Sequence, residues 1–405
     1  MNPEVLKGVR VADFTHAGVG PVTCMALANA GAEVIKIESA TRTEVIRRGY
    51  PFKQGIEDIE GSAQFAVYNC NKLGVTLNLR HPRAVELARR LVSVSDVVAE
   101  SFTPGVMERL GLDYDELRKV KPDLIMISMS LMGQTGPRRM HRGHGVVLQA
   151  MVGLAQLTGW PELPPMAVSI AYTDYYVPSL WVLSVLGALI YRNRTGKGQY
   201  IDGSDYEAAI DLIGTALVDY GVNGRIKERQ GNRHPYAAPH GCYRCQGADR
   251  WCTIAVFSDK EWKAFCRALG DPEWARDARF STLMGRLAHQ DELDELTGSW
   301  TGQRSAEEVM RMMQEAGVMA GVVQNSRDLH QDPQLRHRGH FWELAEDPEK
   351  QWFTYEDFGY RLSQTPYRMK RPFPHLGEHN YYVFCELLGL SDEEFAALVQ
   401  EGVIQ

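Results

Sequence analysis

The fold is decided by one stretch near the start of the chain, Val9-Arg-Val-Ala-Asp-Phe-Thr-His-Ala-Gly-Val-Gly-Pro-Val-Thr-Cys-Met-Ala-Leu-Ala-Asn-Ala-Gly-Ala-Glu-Val-Ile-Lys-Ile37. Residues 9–14 and 33–37 are short apolar runs that predict β-strands. Between them lie a glycine-bearing loop at residues 16–21 and a helical pattern at residues 22–30. A strand, a loop, a helix and a second strand within about thirty residues predict a βαβ unit with parallel strands and a right-handed crossover.

Strands and helices continue to alternate after this unit. Further elements are predicted at residues 75–79, 81–94, 97–99, 106–110 and 124–129. Such alternation is typical of an α/β protein with a doubly wound, Rossmann-like sheet. Ligands bind these sheets beyond the carboxyl ends of the strands, so we expect the loops at His16, Phe102 and Met132 to face one crevice.

One carboxylate, Asp174, stands among aromatic residues in Ser-Ile-Ala-Tyr-Thr-Asp-Tyr-Tyr-Val-Pro-Ser, residues 169–179. The apolar run at residues 177–190 predicts a buried helix with Pro178 in its first turn. A carboxylate is costly to desolvate unless it is paired or used, and the start of a helix favours an anion. Asp174 is therefore either an ordinary N-cap or a nucleophile, and its spacing alone favours the cap.

A polar, glycine-bearing segment at residues 224–235 indicates a linker between two domains. The following part is expected to be a smaller α+β domain, with capping signals at Ser258 and at Ser305 with Glu308. The predicted large domain covers residues 1–220, residues 330–405 return to it, and the small domain covers residues 225–325.

The composition is that of a soluble globular protein, with 405 residues, 44% of them hydrophobic and 23% charged. A net charge of −7 argues against nucleic acid as a partner. No apolar signal segment is visible at the N-terminus, and the apolar run at residues 177–190 is shorter than a bilayer span. We therefore expect a cytoplasmic protein that does not bind a membrane.

Seven cysteines are scattered through the chain, which is typical of reduced cytosolic thiols. Cys242 and Cys245 form a single C-x-x-C, with Cys252 and His240 nearby. One such pair is a weak metal signal, so a structural role is favoured over a zinc site and no metal is expected.

Several short motifs are spread over nearly the whole chain. They are residues 8–16 and 31–38, Asn69-Cys-Asn-Lys72, Phe102-Thr-Pro-Gly105 with Arg109-Leu-Gly111, Met132-Gly-Gln-Thr-Gly-Pro137, Gln149-Ala150 with Thr158-Gly159, Asn193-Arg-Thr-Gly-Lys-Gly-Gln199 and Leu376-Gly-Glu-His379. Together they resemble the family III CoA-transferases, the CaiB/BaiF group. The segments at residues 158–165 and 171–174 resemble the branch that contains benzylsuccinate CoA-transferases, which use succinyl-CoA.

This resemblance implies that Asp174 is the nucleophile, because the family's catalytic aspartate stands just before the long apolar helix. It implies transfer of CoA from an acyl-CoA to a small carboxylic acid through an aspartyl anhydride and an aspartyl-CoA thioester. CoA esters are then substrates, and no tightly bound cofactor is expected. The resemblance also implies an interlocked dimer, either of identical chains or with a homologous chain.

The same resemblance implies which residues hold CoA. His16 and Ala17 lie in the loop that binds the adenine and ribose, and Lys72 and Arg109 match positions near the phosphates. Phe102 is expected to pack on the nucleotide, and His144 completes the implied set. Solvated, capping or core roles for these residues remain open alternatives.

Two departures from the family pattern leave other functions open. Residues 143–145 are Gly-His-Gly, without the acid that usually follows, and residues 231–241 replace a glycine-rich flap, which argues against formyl or oxalyl substrates. An acyl-CoA racemase using His144 and Asp174 is the main alternative, and a subunit of a heteromeric CoA-transferase is another. A nicotinamide-dependent dehydrogenase is a third alternative, because the acidic residue Glu38 stands at the end of the second strand. The loop at residues 16–21 does not, however, contain the complete G-x-G-x-x-G pattern of dinucleotide-binding proteins.

Overall fold

The structure, a computed structural model, describes residues 4–343, 354–357, 359–367 and 369–405, and its largest sheet has six strands. These strands are β1 Arg10–Phe14, β2 Glu33–Glu38, β3 Leu73–Thr76, β4 Val97–Glu100, β5 Ile125–Ser130 and β6 Gln199–Ser204. They lie in the order β3-β2-β1-β4-β5-β6, and every neighbouring pair is parallel. This order is that of dinucleotide-binding doubly wound sheets, so the predicted α/β class is confirmed.

Helices follow most of the strands. They are α1 Val19–Asn29, α2 Ala63–Asn69, α3 Pro82–Ser93, α4 Val106–Leu110, α5 Tyr114–Val120, α6 Gly145–Met151, α7 Leu154–Leu157, α8 Tyr172–Thr195, α9 Asp205–Ile210, α10 Gly214–Asn223, α11 Asp259–Ala268, α12 Leu283–Ala288, α13 Gln290–Thr301, α14 Ala306–Glu315, α15 Ser326–Gln331, α16 Pro333–Arg338 and α17 Asp392–Gln400. Short 3-10 turns cover Val45–Arg48, Lys53–Gly55, Asp211–Ile213, Glu273–Arg276 and Ala278–Phe280, and a π-helical segment covers Tyr382–Leu387.

Two elements of the first half begin earlier than the sequence predicts. Helix α1 begins at Val19 because Pro21 is tolerated in a first turn, where a backbone N–H would lack a helical partner anyway. Strand β3 begins at Leu73, directly after the left-handed turn at Asn71, whose φ is 63°. It ends at Thr76 because Asn78 then donates its N–H to the carbonyl of Val403, 2.9 Å away, instead of continuing the sheet.

Alternate residues of the strands face two separate cores, as the pleat of a strand requires. One core contains Val11, Val34, Val97 and Ile125 with Leu27 of α1 and Val185 of α8. The other contains Ala12, Ile35, Val98 and Met126 with Leu87 of α3 and Leu398 of α17. The parallel sheet is therefore covered by helices on both faces, and the C-terminal helix α17 packs on one of them.

A second compact unit contains a smaller, antiparallel sheet of three strands, β7 His240–Arg244, β8 Trp251–Ala255 and β9 Met319–Val322, in the order β7-β8-β9. Its helix α11 begins with a complete capping box of Ser258 and Glu261. At α14, Ser305 accepts the Glu308 N–H, 3.1 Å away. A two-stranded pair, β10 Phe341–Glu343 with β11 Thr354–Glu356, belongs to the first unit.

The first unit comprises the described residues up to 154, residues 167–224 and those from 337 onward; the second comprises residues 155–166 and 225–336. Residues 155–166 lie within the large domain that the sequence pattern predicts. They join the second unit because Gly231 donates its N–H to the carbonyl of Gly159, 2.9 Å away, and because Arg229 donates to the carbonyl of Gln156, 3.2 Å away. These contacts connect segments about 70 residues apart, which no local pattern reveals.

Helix α8 is the one helix among the described residues that is long and apolar enough to cross a membrane. It has 24 residues and extends beyond the apolar run in the sequence. It packs against α1, α6, β5 and the edge strand β6, and Val177, Val185 and Leu189 are buried. The prediction of a buried helix is met on one face only, because Leu183 and Ile190 are exposed. A core helix can have the same composition as a membrane span, so the absence of membrane binding stays a prediction.

Candidate active site

Asp174 is the third residue of α8, and the N-cap position is occupied by Ala171. Its N–H donates to the carbonyl of Ala171, 2.8 Å away. The N-cap alternative is therefore wrong, although the carboxylate still lies in the first turn, where the helix dipole favours an anion. Burial raises the pKa of the Asp174 carboxyl, whereas a hydrogen bond from Thr173 (3.3 Å) and the charge of His144 act in the opposite direction.

The Asp174 carboxylate lies in a slot between two glycines from distant parts of the chain. A Cβ at Gly18, the N-cap of α1, would lie 3.0 Å from Asp174 Cγ and would clash with Oδ2. A Cβ at Gly145, the first residue of α6, would lie 2.7 Å from Asp174 Oδ1. Neither glycine has a positive φ, so they are required for close approach and not for backbone conformation.

A cavity of about 260 Å³ lies beside Asp174, beyond the carboxyl ends of β1, β4 and β5. The loop after β1 contributes residues 16–20, the loop after β4 contributes residues 101–104, and the segment after β5 contributes residues 139 and 141–145. Strands β1 and β4 are the neighbours at which the strand order reverses, which is where doubly wound sheets bind ligands. The crevice expected from the sequence is thus present at the His16 and Phe102 loops, but Met132, which was expected to face it, is not among the residues that line it.

The loop that holds His16 and Ala17 is fixed by one buried carboxylate. Glu44 Oε1 accepts the Ala17 N–H at 2.8 Å, and Glu44 Oε2 lies 3.2 Å from both His16 Nδ1 and Lys36 Nζ. Burial opposes ionisation, but the Lys36 charge and the His16 and Ala17 hydrogen bonds together lower the pKa of Glu44 to about 2. Ala17 has a φ of 66°, and this contact with Glu44 stabilises that left-handed conformation.

His16 and Phe102 lie side by side at the cavity wall. Their ring centroids are 5.3 Å apart and the rings are inclined at 46°. Ser101 connects the two loops, because its Oγ accepts the His16 N–H at 2.8 Å and donates to the His16 carbonyl at 3.1 Å. The structure therefore brings His16, Ala17 and Phe102 together with Asp174 and His144 around one cavity.

Lys72 does not reach the cavity. Its side chain is completely buried, and its Nζ donates to Asp13 Oδ2 (2.9 Å), to Asn69 Oδ1 (2.9 Å) and to the carbonyl of Pro21 (3.0 Å). A direct contact with CoA would require all three bonds to break. In this position Lys72 instead holds the first turn of α1 against β1.

Arg109 is also outside the cavity walls. It lies on the exposed side of α4, with its guanidinium over Gly105. Its position leaves it available to solvent and apart from Asp174.

Three cationic or titratable residues that line the cavity were not predicted from the sequence. Arg139, His141 and Arg142 belong to the segment Arg-Arg-Met-His-Arg, residues 138–142, directly after the Gly-Gln-Thr-Gly-Pro motif. Four basic or imidazole side chains within five residues of a protein with net charge −7 were a signal that could have identified them.

Comparison with known proteins identifies the family of this arrangement. A family model described as CoA-transferase family III matches residues 6–380. The chain belongs to CoA-transferase family III. It is an enzyme of that family, as the resemblance of its motifs predicted.

Named relatives of this family III CoA-transferase extend over almost the whole chain. Succinyl-CoA--D-citramalate CoA-transferase of Chloroflexus aurantiacus is 35% identical over 403 residues, which are 99% of this chain and 98% of that protein. The succinyl-CoA--L-malate CoA-transferase alpha subunit of the same organism is 33% identical over 400 residues, 98% of this chain and 92% of that protein. Its beta subunit is 31% identical over 402 residues, 98% of both chains.

Solved structures give the same result. The crystal structure of a CaiB/BaiF family protein from Brucella suis has a TM-score of 0.87 and 30% identity, and the match covers 96% of this chain and 100% of that one. The placement in the benzylsuccinate branch is not tested by these comparisons and stays a prediction.

His144 is the N-cap residue of α6 and lines the cavity of the transferase with Asp174. The next residue, Gly145, leaves no room for an acid side chain, because Ala171 and the Asp174 carboxylate occupy the space a Cβ would need. The missing acid of the Gly-His-Gly segment is thus explained by the position of Asp174.

The seven thiols of the transferase are free, and Cys242 and Cys245 form no disulfide. Within the part of the chain that the structure describes, no group of three or more His, Cys, Asp or Glu side chains is arranged to hold a metal ion.

Proposed function

We propose that this transferase moves CoA from succinyl-CoA to a small carboxylic acid, with Asp174 as the nucleophile. The observation that carries the proposal is the Asp174 carboxylate, which is poorly solvated, held between Gly18 and Gly145, and open to a cavity with cationic walls. The named relatives support succinyl-CoA as the donor, because their names include it.

The reaction consists of four displacements at carbonyl carbons. Asp174 attacks the thioester, and CoA leaves as a thiolate, which gives a mixed anhydride. The thiolate attacks the Asp174 carbonyl and releases the donor acid, which leaves an aspartyl-CoA thioester. The acceptor carboxylate attacks this thioester and releases the thiolate again. The thiolate then attacks the acceptor carbonyl, and Asp174 returns to its carboxylate.

Each displacement forms one bond and breaks one, so the reaction needs no proton donor and no redox group. It does need a desolvated nucleophile and protection of the anhydride from water. The raised pKa of Asp174 reflects this desolvation, and the two glycines allow neighbouring backbone to approach the carboxylate closely.

CoA is proposed to lie over the loops after β1 and β4, with its base near His16 and Phe102. Arg139 and Arg142 supply the guanidinium groups that suit its phosphates, since guanidinium binds phosphate through paired hydrogen bonds. Lys72 supports this region from beneath, and Arg109 is a candidate only for a phosphate that extends into solvent.

The test of the nucleophile is covalent trapping. Incubation with succinyl-CoA and hydroxylamine should place a hydroxamate on Asp174, detected by mass spectrometry of peptides, and Asp174→Ala should abolish both the adduct and CoA transfer. Asp115→Ala, which removes an exposed carboxylate paired with Arg118, is the control and should retain full activity. Transfer by Asp174→Ala at a rate near that of wild type would disprove the assignment.

An acyl-CoA racemase remains the second candidate, because His144 and Asp174 line the same cavity. A racemase would exchange the α-proton of a chiral acyl-CoA with deuterated water in the absence of any acceptor acid. Transfer activity without such exchange excludes it.

We further propose that the transferase works as an interlocked dimer, with an identical or a homologous chain. Helices α8 and α10 expose large apolar side chains, among them Leu183, Ile190, Val218 and Val222, and such a surface is typical of a protein interface. Two relatives are named as alpha and beta subunits, which supports a homologous partner. Light scattering during dilution tests this, and a folded, active monomer at nanomolar concentration would contradict it.

A further inference from the structure

Two polar side chains of the Asp174 cavity have no role in the displacements described above. Asp205 is the first residue of α9 and Ser130 is the last residue of β5, and each is only 8% exposed. The register of the sheet pairs Ser130 with Ser204, the neighbour of Asp205, so both residues lie at the carboxyl ends of β5 and β6. Both line the cavity.

Asp205 is a buried carboxyl without a cation. Its Oδ1 accepts the Trp181 Nε1–H at 3.1 Å, and among the described residues it forms no ion pair. The other titratable groups that line the same cavity are Asp174, Arg139, Arg142 and the imidazoles of His16, His141 and His144. Glu207 lies on the same helix as Asp205, Asp202 lies on β6, and Asp211 follows α9. Burial, together with the charge of Asp174, raises the pKa of Asp205 to about 7, and the Trp181 bond opposes this only in part.

A neutral carboxyl donates a hydrogen bond as well as accepting one, so Asp205 supplies a donor to the cavity when it is protonated. Ser130 supplies a second. Its Oγ is buried and, within the described part of the chain, has no hydrogen-bond partner. Unpartnered buried hydroxyls are uncommon, and one beside a ligand cavity is explained when the ligand is its partner.

The position of these donors along α8 indicates which part of a ligand they meet. Trp181 is two helical turns, about 10 Å, beyond Asp174, and long side chains on a helix lean back toward its N-terminus. The group that Trp181 holds therefore lies beyond Asp174 along α8 by less than those two turns, a separation that the acyl chain carried by Asp174 can span.

We propose that Ser130 and Asp205 bind the distal carboxylate of the acyl group that Asp174 carries. The proposal rests on the proposed function and extends it, because it assigns the residues that select dicarboxylic acyl groups. A carboxylate suits two donors, since hydrogen bonds to an ionised acceptor are about twice as strong as neutral ones. Ionised Asp205 repels the same carboxylate, so selection for it weakens above neutral pH.

The experiment compares succinyl-CoA with butyryl-CoA, which has the same chain length and a methyl group in place of the distal carboxylate. We expect kcat/KM for succinyl-CoA to fall above pH 7 in the wild type, by a factor approaching ten per pH unit, while the butyryl-CoA profile stays flat. Asp205→Asn keeps a donor and cannot ionise, so its succinyl-CoA profile should be flat. The ratio of kcat/KM for succinyl-CoA to kcat/KM for butyryl-CoA should fall at least tenfold in Asp205→Leu. In Ser130→Ala the same ratio should fall several-fold.

Asp211→Asn, on the exposed side beyond α9, is the matched control and should leave the ratio unchanged. If Asp205→Leu does not fold, the pH profile of Asp205→Asn decides. The inference would be overturned if the Asp205 and Ser130 variants changed kcat/KM equally for succinyl-CoA and butyryl-CoA. It would also be overturned if the wild type showed the same pH profile with both substrates, or if it preferred butyryl-CoA. Absence of CoA transfer and of an Asp174 hydroxamate in the wild type would instead overturn the proposed function.

Discussion

Replacement of Lys72 by methionine tests whether this residue contacts CoA or holds the fold. Lys72 and Asp13 are both completely buried, so Lys72→Met leaves the Asp13 carboxylate without its nearest cation and removes three hydrogen bonds of 2.9 to 3.0 Å. Breaking a buried pair on one side costs about 3–5 kcal/mol, because a desolvated charge remains. We expect a loss of unfolding free energy of that size and little change in the KM for acyl-CoA.

The carboxylate partner provides the internal control. Asp13→Asn removes the charge and retains the oxygen that accepts the Thr15 N–H at 2.9 Å. Lys72→Met should therefore cost about 1–3 kcal/mol less in the Asp13→Asn background than in the wild type. Equilibrium urea unfolding followed by circular dichroism measures the four variants of this cycle.

Acid unfolding gives a second measurement of the same pair. Burial opposes ionisation of Asp13, but the charges of Lys72 and Lys36 hold its pKa below the ordinary value of 3.8. The stability that this ionised group contributes is therefore present above about pH 4 and is lost as the pH falls through the lower folded pKa. Asp13→Asn should flatten the acid limb of the stability curve. A large rise in KM for acyl-CoA with unchanged stability in Lys72→Met would refute this account and would show that Lys72 contacts the ligand.

Two further predictions concern the cavity. Gly18→Ala should lower kcat on the order of 100-fold with little loss of stability, because the three atoms nearest the new Cβ all belong to the Asp174 side chain, and displacing the carboxylate by about 1 Å has effects of that size. Gly187→Ala, in open space on α8, is the control and should be fully active. Arg142→Ala should raise the KM for acyl-CoA on the order of tenfold, the effect of losing one charge-assisted hydrogen bond, and should leave the KM for the free acid unchanged. The control variant Arg118→Ala should retain the activity of the wild type. An equal rise in both KM values for Arg142→Ala would argue against a phosphate contact.

The sequence by itself determined the α/β class and singled out Asp174 as the candidate nucleophile. Residues 9–37 carry their pattern within one βαβ unit, because strand and helix periodicities depend on neighbours a few residues apart. Asp174 could likewise be located by its place before an apolar helix, a local feature, although the choice between cap and nucleophile needed the family resemblance.

Only the tertiary structure decided what surrounds these residues. Gly18, Gly145 and Asp174 are far apart in the chain and meet because parallel strands deliver their carboxyl ends to one edge of the sheet. Lys72 has the charge of a phosphate ligand, but its burial against Asp13 makes it a structural cation. Burial and pairing are long-range properties: they depend on which segments pack together, and the residue types of a single segment do not contain that information.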